Sequence, residues 1–194
     1  MLNYKKILDQ EGTVVIPKEA LPFSAEDWHT IENAFSTETF EVVGKGDTYE
    51  LASVKAVRVK KPGDSNIYSK DVWEVLRKNN FPEFLKEELG MEVMCLDRLQ
   101  LHHYQAGDFL AWHVDKESCQ EYVYALLIHI NDDYDGGNFC VKGKDGTIHK
   151  YKGPTGSLVI TKCDLAHQVE PITAGNRKVI AGFIADVEIK QSAA

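Results

Sequence analysis

From Met91 onward the chain breaks into short β-type stretches at regular intervals, and this pattern limits the fold most. The sequence predicts strands over 96–104, 108–113, 122–130, 137–142, 147–151, 157–161, 167–172 and 177–187. Between them stand turn-formers such as Ala106-Gly107-Asp108, Asp135-Gly136-Gly137, Lys144-Asp145-Gly146, Gly153-Pro154-Thr155-Gly156 and Ala174-Gly175-Asn176. Eight short strands with turn signals at this spacing fit a double sheet of the jelly-roll or cupin-like kind, a double-stranded β-helix.

Residues 1–92 have a different texture. Thr13 to Ile16 is a β-branched run stopped by Pro17. Ser24 is a candidate N-cap with Asp27 three residues on, and Trp28, Ile31 and Phe35 follow at helical spacing. Leu51 to Val59 alternates as a strand does, and Asp71 to Asn79 and Pro82 to Leu89 read as helices. At 194 residues the chain fits a single domain over 1–194, with a support region (1–92) and a jelly-roll core (93–190). The expected architecture is mostly β with flanking α-helices, the N-terminal helices packed on one sheet.

Composition narrows the partners. Lys and Arg number 22 against 30 Asp and Glu, a net charge of −8, which disfavours a nucleic-acid backbone as partner. Lys55, Arg58, Lys60 and Lys61 form the one basic cluster, read as a solvated strand face. Met1 to Gln10 lacks the apolar run of a signal peptide, and no stretch approaches the ~20 apolar residues of a membrane span. The four cysteines form no C-x-x-C pair and read as reduced thiols, so the expected location is cytoplasmic.

The chemistry starts at His113-Val114-Asp115. Residues i and i+2 of a strand project to one face, so imidazole and carboxylate can converge. His167 opens a later strand and is the candidate third ligand. Two histidines and one carboxylate make the facial set of non-heme iron(II) oxygenases, with positions left open for a co-substrate and dioxygen. Ten residues on, Arg177 offers the planar fork that would hold the remote carboxylate of 2-oxoglutarate. Tyr104, nine residues before His113, could donate to the same carboxylate.

The stretch Leu99-Gln100-Leu101-His102-His103-Tyr104-Gln105-Ala106-Gly107-Asp108-Phe109, followed by His113-Val114-Asp115, resembles the prolyl 4-hydroxylase type of Fe(II)/2-oxoglutarate-dependent oxygenase. So do Asn131-Asp132-Asp133-Tyr134-Asp135-Gly136-Gly137, Gly156-Ser157-Leu158-Val159-Ile160, and His167-Gln168-Val169 with Arg177. The resemblance covers roughly residues 96–187. It implies His113, Asp115 and His167 as ligands of Fe(2+), and Arg177 and Tyr104 as partners of 2-oxoglutarate. Ile128 and Phe139 match positions lining the co-substrate pocket. Dioxygen would be the second co-substrate and ascorbate a reductant. Many prolyl 4-hydroxylases carry lysine where Arg177 stands. Phe183 occupies the place where nucleic-acid-demethylating relatives carry a second arginine, which speaks against base repair. Asp115 stands where halogenases carry a small residue, which favours hydroxylation.

If Tyr104 points inward on its strand, alternation carries His102, Gln100 and Arg98 inward too. These three are substrate-binding candidates, with a structural polar network as the competing meaning. Trp112 should face away from the metal, and Gly136 and Gly137 should supply turn geometry. His29, His129 and His149 show no ligand spacing. Lys61 to Tyr68 reads as a loop that would close over substrate. The expected activity is hydroxylation of an unactivated C–H bond, in a prolyl or amino-acid-like residue of a protein or peptide. The alternatives are a free amino acid or small metabolite as substrate, and a non-catalytic cupin-like metal-binding module. The sequence names neither the substrate nor the oligomeric state.

Overall fold

A computed structural model describes residues 3–43, 52–60 and 69–187. The Lys61 to Tyr68 loop and the Gln191 to Ala194 tail lie outside the described residues. In chain order the elements are α1 (Tyr4–Glu11), β1 (Thr13–Ile16), α2 (Ala25–Thr37), β2 (Glu41–Val43), β3 (Ala52–Lys60), α3 (Lys70–Lys78) and α4 (Phe81–Glu88). There follow β4 (Cys95–Tyr104), β5 (Phe109–His113), β6 (Tyr122–His129), β7 (Asp135–Gly136), β8 (Phe139–Lys142) and β9 (Ile148–Tyr151). The chain continues through β10 (Leu158–Lys162), β11 (His167–Val169), β12 (Ile172–Ala174) and β13 (Arg177–Ala185).

Local chemistry explains the helices. Ser24 and Asp27 form a reciprocal capping box, with Ser24 N donating to Asp27 Oδ2 at 2.9 Å and Asp27 N to Ser24 Oγ at 3.2 Å. Asp27 is buried and pairs at 2.6 Å with Lys78 of α3, tying the two helices together. Burial pushes its carboxyl up, but Lys78 and Ser24 outweigh this and hold it at about 2. Helix α1 was not foreseen. Its inward face is small, with Tyr4 and Leu8 buried, so its apolar period is short. Its ends are capped by the Asn3 side chain, which accepts from Lys6 N at 2.9 Å, and by Gly12 at φ 77°.

The eight strands expected after Met91 are β4, β5, β6, β8, β9, β10, β11 and β13. One run of strands is ordered β1-β10-β6-β13-β4-β3, and β3 continues through β5 into β11, β8 and β9. All pairings are antiparallel. The expected strand 167–172 is interrupted: β11 stops at Val169, and β12 resumes at Ile172 to pair with β7.

Side chains leave the larger sheet in two directions. Leu101, Leu126, Ile128, Ile160 and Ile180 pack outward against the helices, with Leu8, Ile31, Leu76 and Phe81 on the other side of that core. The inward layer contains Tyr104, Phe139, Val169 and Val179 between the two sheets. Each such aliphatic side chain contributes about 1.5–3 kcal/mol when fully buried. The outward layer fastens the helices to the sheet, and the inward layer surrounds the site.

Candidate functional site

Strand register assembles the metal-ligating candidates. His113 and His167 are direct partners across β5 and β11, with ring centroids 4.2 Å apart. Val114 stays extended, so the alternation of β5 continues to Asp115, which then starts a short turn. Lys116 N donates to Cys163 O at 3.1 Å and Ser118 N to Asp115 O at 2.9 Å, pinning that turn. Ligand atoms of His113, Asp115 and His167 all lie within 4.8 Å of one another.

The histidine orientations are set from behind. Nδ1 of His113 lies 2.8 Å from Ala111 O, and Nδ1 of His167 lies 3.0 Å from Leu165 O. A carbonyl can only accept, so both Nδ1 atoms carry the proton and both Nε2 lone pairs face the site. The Nε2 atoms stand 3.3 Å and 3.2 Å from the Asp115 carboxylate. Three electron-rich groups converge where only a cation relieves them, which is the fit a divalent metal needs. Burial pushes the His113 imidazole down, but Asp115 and the Ala111 carbonyl together raise it. Burial likewise pushes Asp115 up, but the facing His113 and His167 rings hold it at about 2.

Arg177 opens β13 opposite Tyr104 of β4. It is fully buried, and all three guanidinium nitrogens lack a hydrogen-bond partner among the described residues. The guanidinium carbon sits 5.0 Å from the centroid of the Tyr104 ring. A buried cation without partners costs several kcal/mol unless an anion joins it. Gly136 and Gly137 have φ of 70° and 62°, and a Cβ on Gly137 would meet Arg177 Cδ at 3.3 Å and Ile172 Cδ1 at 2.3 Å. They therefore supply turn geometry as expected, and Gly137 also leaves room for the arginine stem.

A cavity of about 70 Å³ brings His113, Asp115, His167, Tyr104, His102 and Phe139 together. Leu127, Val169, Ala181 and Phe183 supply its apolar walls. Phe183 is held flat against Tyr122, centroids 4.4 Å apart, and Tyr122 donates to the buried Asp97 at 2.5 Å. Trp112 turns outward at 39% exposure, as its place beside the first ligand requires. The larger hollow, about 610 Å³, lies further along β3 and β4, where Ala56, Arg58 and Gln100 line it with Glu38 and Glu41.

Two expectations fail in the structure. Ile128 does not line the pocket: it pairs with Ile180 and points into the core under the helices. The run Ala125-Leu126-Leu127-Ile128 has no polar alternation to reveal its phase, and the cavity takes Ala125, Leu126 and Leu127 from it but not Ile128. Arg98 does not follow His102 inward. It stands at φ 48° in an irregularity between β4 and β13, is exposed, and leaves Asp97 buried in its place. Gln100 and His102 keep the inward phase and bond to each other at 3.1 Å, and Tyr104 OH lies 3.4 Å from His102 Nδ1. His129 escaped the sequence reading because no partner in sequence marks it. Of the described residues it is among the few polar side chains with no solvent exposure.

Three comparisons bear on this geometry. Residues 99–185 match the family model of the 2OG-Fe(II) oxygenase superfamily. A PKHD-type hydroxylase of Acaryochloris marina is 29% identical over 101 residues, 50% of this chain and 46% of that protein. The chain thus spans about half the length of the curated relatives it matches. An oxidoreductase of the 2OG-Fe(II) oxygenase family from Burkholderia pseudomallei superposes with a TM-score of 0.82 at 22% identity, covering 95% of this chain and 90% of the other. A prolyl hydroxylase from Trichoplax adhaerens, solved with a hypoxia inducible factor peptide fragment, superposes with a TM-score of 0.72 at 14% identity, covering 94% and 87%. At these identities the likeness is one of fold. No helix among the described residues is long and apolar enough to cross a membrane, and all four cysteines are free thiols.

Proposed function

We propose that this chain, whose residues 99–185 match the 2OG-Fe(II) oxygenase superfamily model, is an iron(II)- and 2-oxoglutarate-dependent dioxygenase that hydroxylates an unactivated C–H bond in a prolyl or amino-acid-like residue of a protein or peptide. One observation carries this reading. Three converging metal-ligating groups line a cavity together with Tyr104, and a fully buried, unpartnered arginine stands 5.0 Å from that tyrosine ring. A binding module that merely carried metal would have no use for that arginine. His113, Asp115 and His167 would hold the iron, Arg177 and Tyr104 the remote carboxylate of 2-oxoglutarate, and Phe139 would wall the pocket. Residues 1–92 would support the core that carries every one of these side chains.

Bound iron(II) supplies the activation of dioxygen, with 2-oxoglutarate as the electron source. The chain's own contribution is positional. The Ala111 and Leu165 carbonyls keep both imidazoles in the ligating tautomer. The Arg177 fork would hold the co-substrate by its remote carboxylate and so limit how it can lie in the site. Leu127, Ala181 and Phe183 keep water from the reacting position. The Trichoplax neighbour, solved with a peptide fragment, supports a peptide substrate.

Calorimetry with manganese(II) in place of iron should show 2-oxoglutarate binding that depends on the metal. Succinate formation with iron and ascorbate should then rise with prolyl peptides more than with free amino acids. Protein that binds no 2-oxoglutarate in the presence of manganese would sink the oxygenase reading. Stimulation by free amino acids alone would move the substrate to the metabolite class.

A further inference from the structure

Phe183 stands on β13 at the end of the site away from Arg177. Six residues separate the two, a span of ~20 Å along a strand. The five-carbon chain of 2-oxoglutarate held at Arg177 falls well short of that. Yet Phe183 lines the same cavity as His113, Asp115 and His167. What reaches its ring is therefore not the co-substrate.

The ring is fixed from behind, and the fixing is costly. Phe183 lies flat on Tyr122, with the ring planes 5° apart. The Tyr122 hydroxyl donates to Asp97, and both residues are almost fully buried. A buried carboxylate is expensive unless a donor meets it. Asp97 reaches this place through the irregularity between β4 and β13, which sets it opposite Phe183. Arg98 absorbs that irregularity at φ 48°, a conformation that strains residues other than glycine. Its guanidinium in turn stands 5.8 Å from the centroid of the Tyr122 ring. Backbone strain and a buried carboxylate thus converge on one aromatic pair, and core packing alone asks for neither.

With one face on Tyr122, the Phe183 ring is only half-buried, as is Ala181, whereas Ile180, Gly182 and Ile184 are buried. Its uncovered side opens on the cavity, beside Ala125, Leu127 and Ala181. Apart from the metal ligands, the described lining holds no lysine, arginine, aspartate or glutamate. An ammonium or carboxylate brought there would lose water and gain no partner. A flat apolar ring would gain an aromatic face.

We propose that Phe183 is the specificity-determining wall for the substrate's reacting residue, selecting an uncharged cyclic side chain over a charged one, and that Tyr122 and Asp97 are positioning residues that hold this wall. The inference rests on the oxygenase reading above and names the side chain the site accepts.

The test uses protein loaded with manganese(II) and 2-oxoglutarate, and capped tripeptides of glycine, X and glycine in which X is proline, alanine or lysine. Manganese(II) shortens the relaxation of protons held near it, so an NMR titration reads peptide binding at the metal without turnover. Wild-type protein should bind the prolyl peptide about tenfold tighter than the other two. Phe183→Leu keeps an apolar wall without the ring. It should bring the prolyl peptide within about twofold of the alanyl one, and leave 2-oxoglutarate binding by calorimetry within about twofold. Asp97→Asn retains an acceptor for the Tyr122 hydroxyl and should keep the prolyl preference within about twofold. Tyr122→Phe removes the anchor and should reduce the preference about threefold, which also covers a Leu variant that fails to fold. A purely structural pair would change the melting temperature and leave the preference alone. No prolyl preference in wild type, a preference that survives Phe183→Leu or Tyr122→Phe, or an equal loss of 2-oxoglutarate binding would overturn the proposal. Wild-type protein that binds 2-oxoglutarate but no peptide overturns this inference alone, whereas failure to bind 2-oxoglutarate overturns the oxygenase reading with it.

Discussion

Replacing Arg177 with methionine should make the ligand-free protein more stable while removing co-substrate binding. The guanidinium is fully buried without a hydrogen-bond partner among the described residues. Each unsatisfied buried group costs about 1–3 kcal/mol, and more when charged. The Tyr104 ring at 5.0 Å returns up to ~2 kcal/mol as a cation–π contact. Methionine keeps the linear stem and adapts to irregular space. The net gain is about 1–2 kcal/mol, or roughly 2–8 °C in melting temperature for a chain of this length. Saturating 2-oxoglutarate and manganese(II) should reverse the order, because ligand at a hundredfold over Kd adds about 2.7 kcal/mol to the wild type alone. Differential scanning calorimetry on chelator-treated protein, with and without these ligands, reads both effects. A methionine variant that melts below the wild type when ligand-free would refute the reasoning, since the arginine would then be held by the protein itself.

Asp115→Ala should abolish the rise in melting temperature caused by manganese(II) or cobalt(II), with the ligand-free fold retained; a metal-induced rise of wild-type size would count against the ligand set. Metal affinity should fall as pH is lowered, because the raised His113 imidazole takes up a proton that the metal must displace. His102 and His129 are held neutral at about 4 and about 3, below their usual value of 6.5, so the unfolded chain binds more protons in that window. Stability of the ligand-free protein should therefore drop as pH falls below 6.5, by about 1.4 kcal/mol per pH unit for each group, and His129→Phe should flatten the slope seen in urea titrations. Asp27→Ala removes both the capping box and the bond to Lys78, and should cost about 1–2 kcal/mol by urea denaturation; a change under ~0.3 kcal/mol would show the cap to be idle.

Much of the chain is legible without its structure because it is written locally. The His113–Asp115 spacing uses the two-residue period of a strand, and Ser24 with Asp27 uses the first turn of a helix. Turn residues divide the eight later strands almost where the structure does, since glycine, proline and asparagine act within a few residues. The features only the tertiary structure decided depend on which way a strand faces. In Ala125-Leu126-Leu127-Ile128-His129 every residue up to Ile128 is apolar, so sequence carries no phase. Pairing with β13 sends Ile128 to the helices and His129 to the arginine. The irregularity at Arg98 shifts the phase again, through a positive φ that no arginine announces. Sequence determined the His113–Asp115 half of the candidate metal site, because that geometry is two residues long, whereas His167 joins it only through the pairing of β5 with β11. The partners that surround Arg177 were settled by strands far apart in the chain, because sheet register is a property of the assembled sheet.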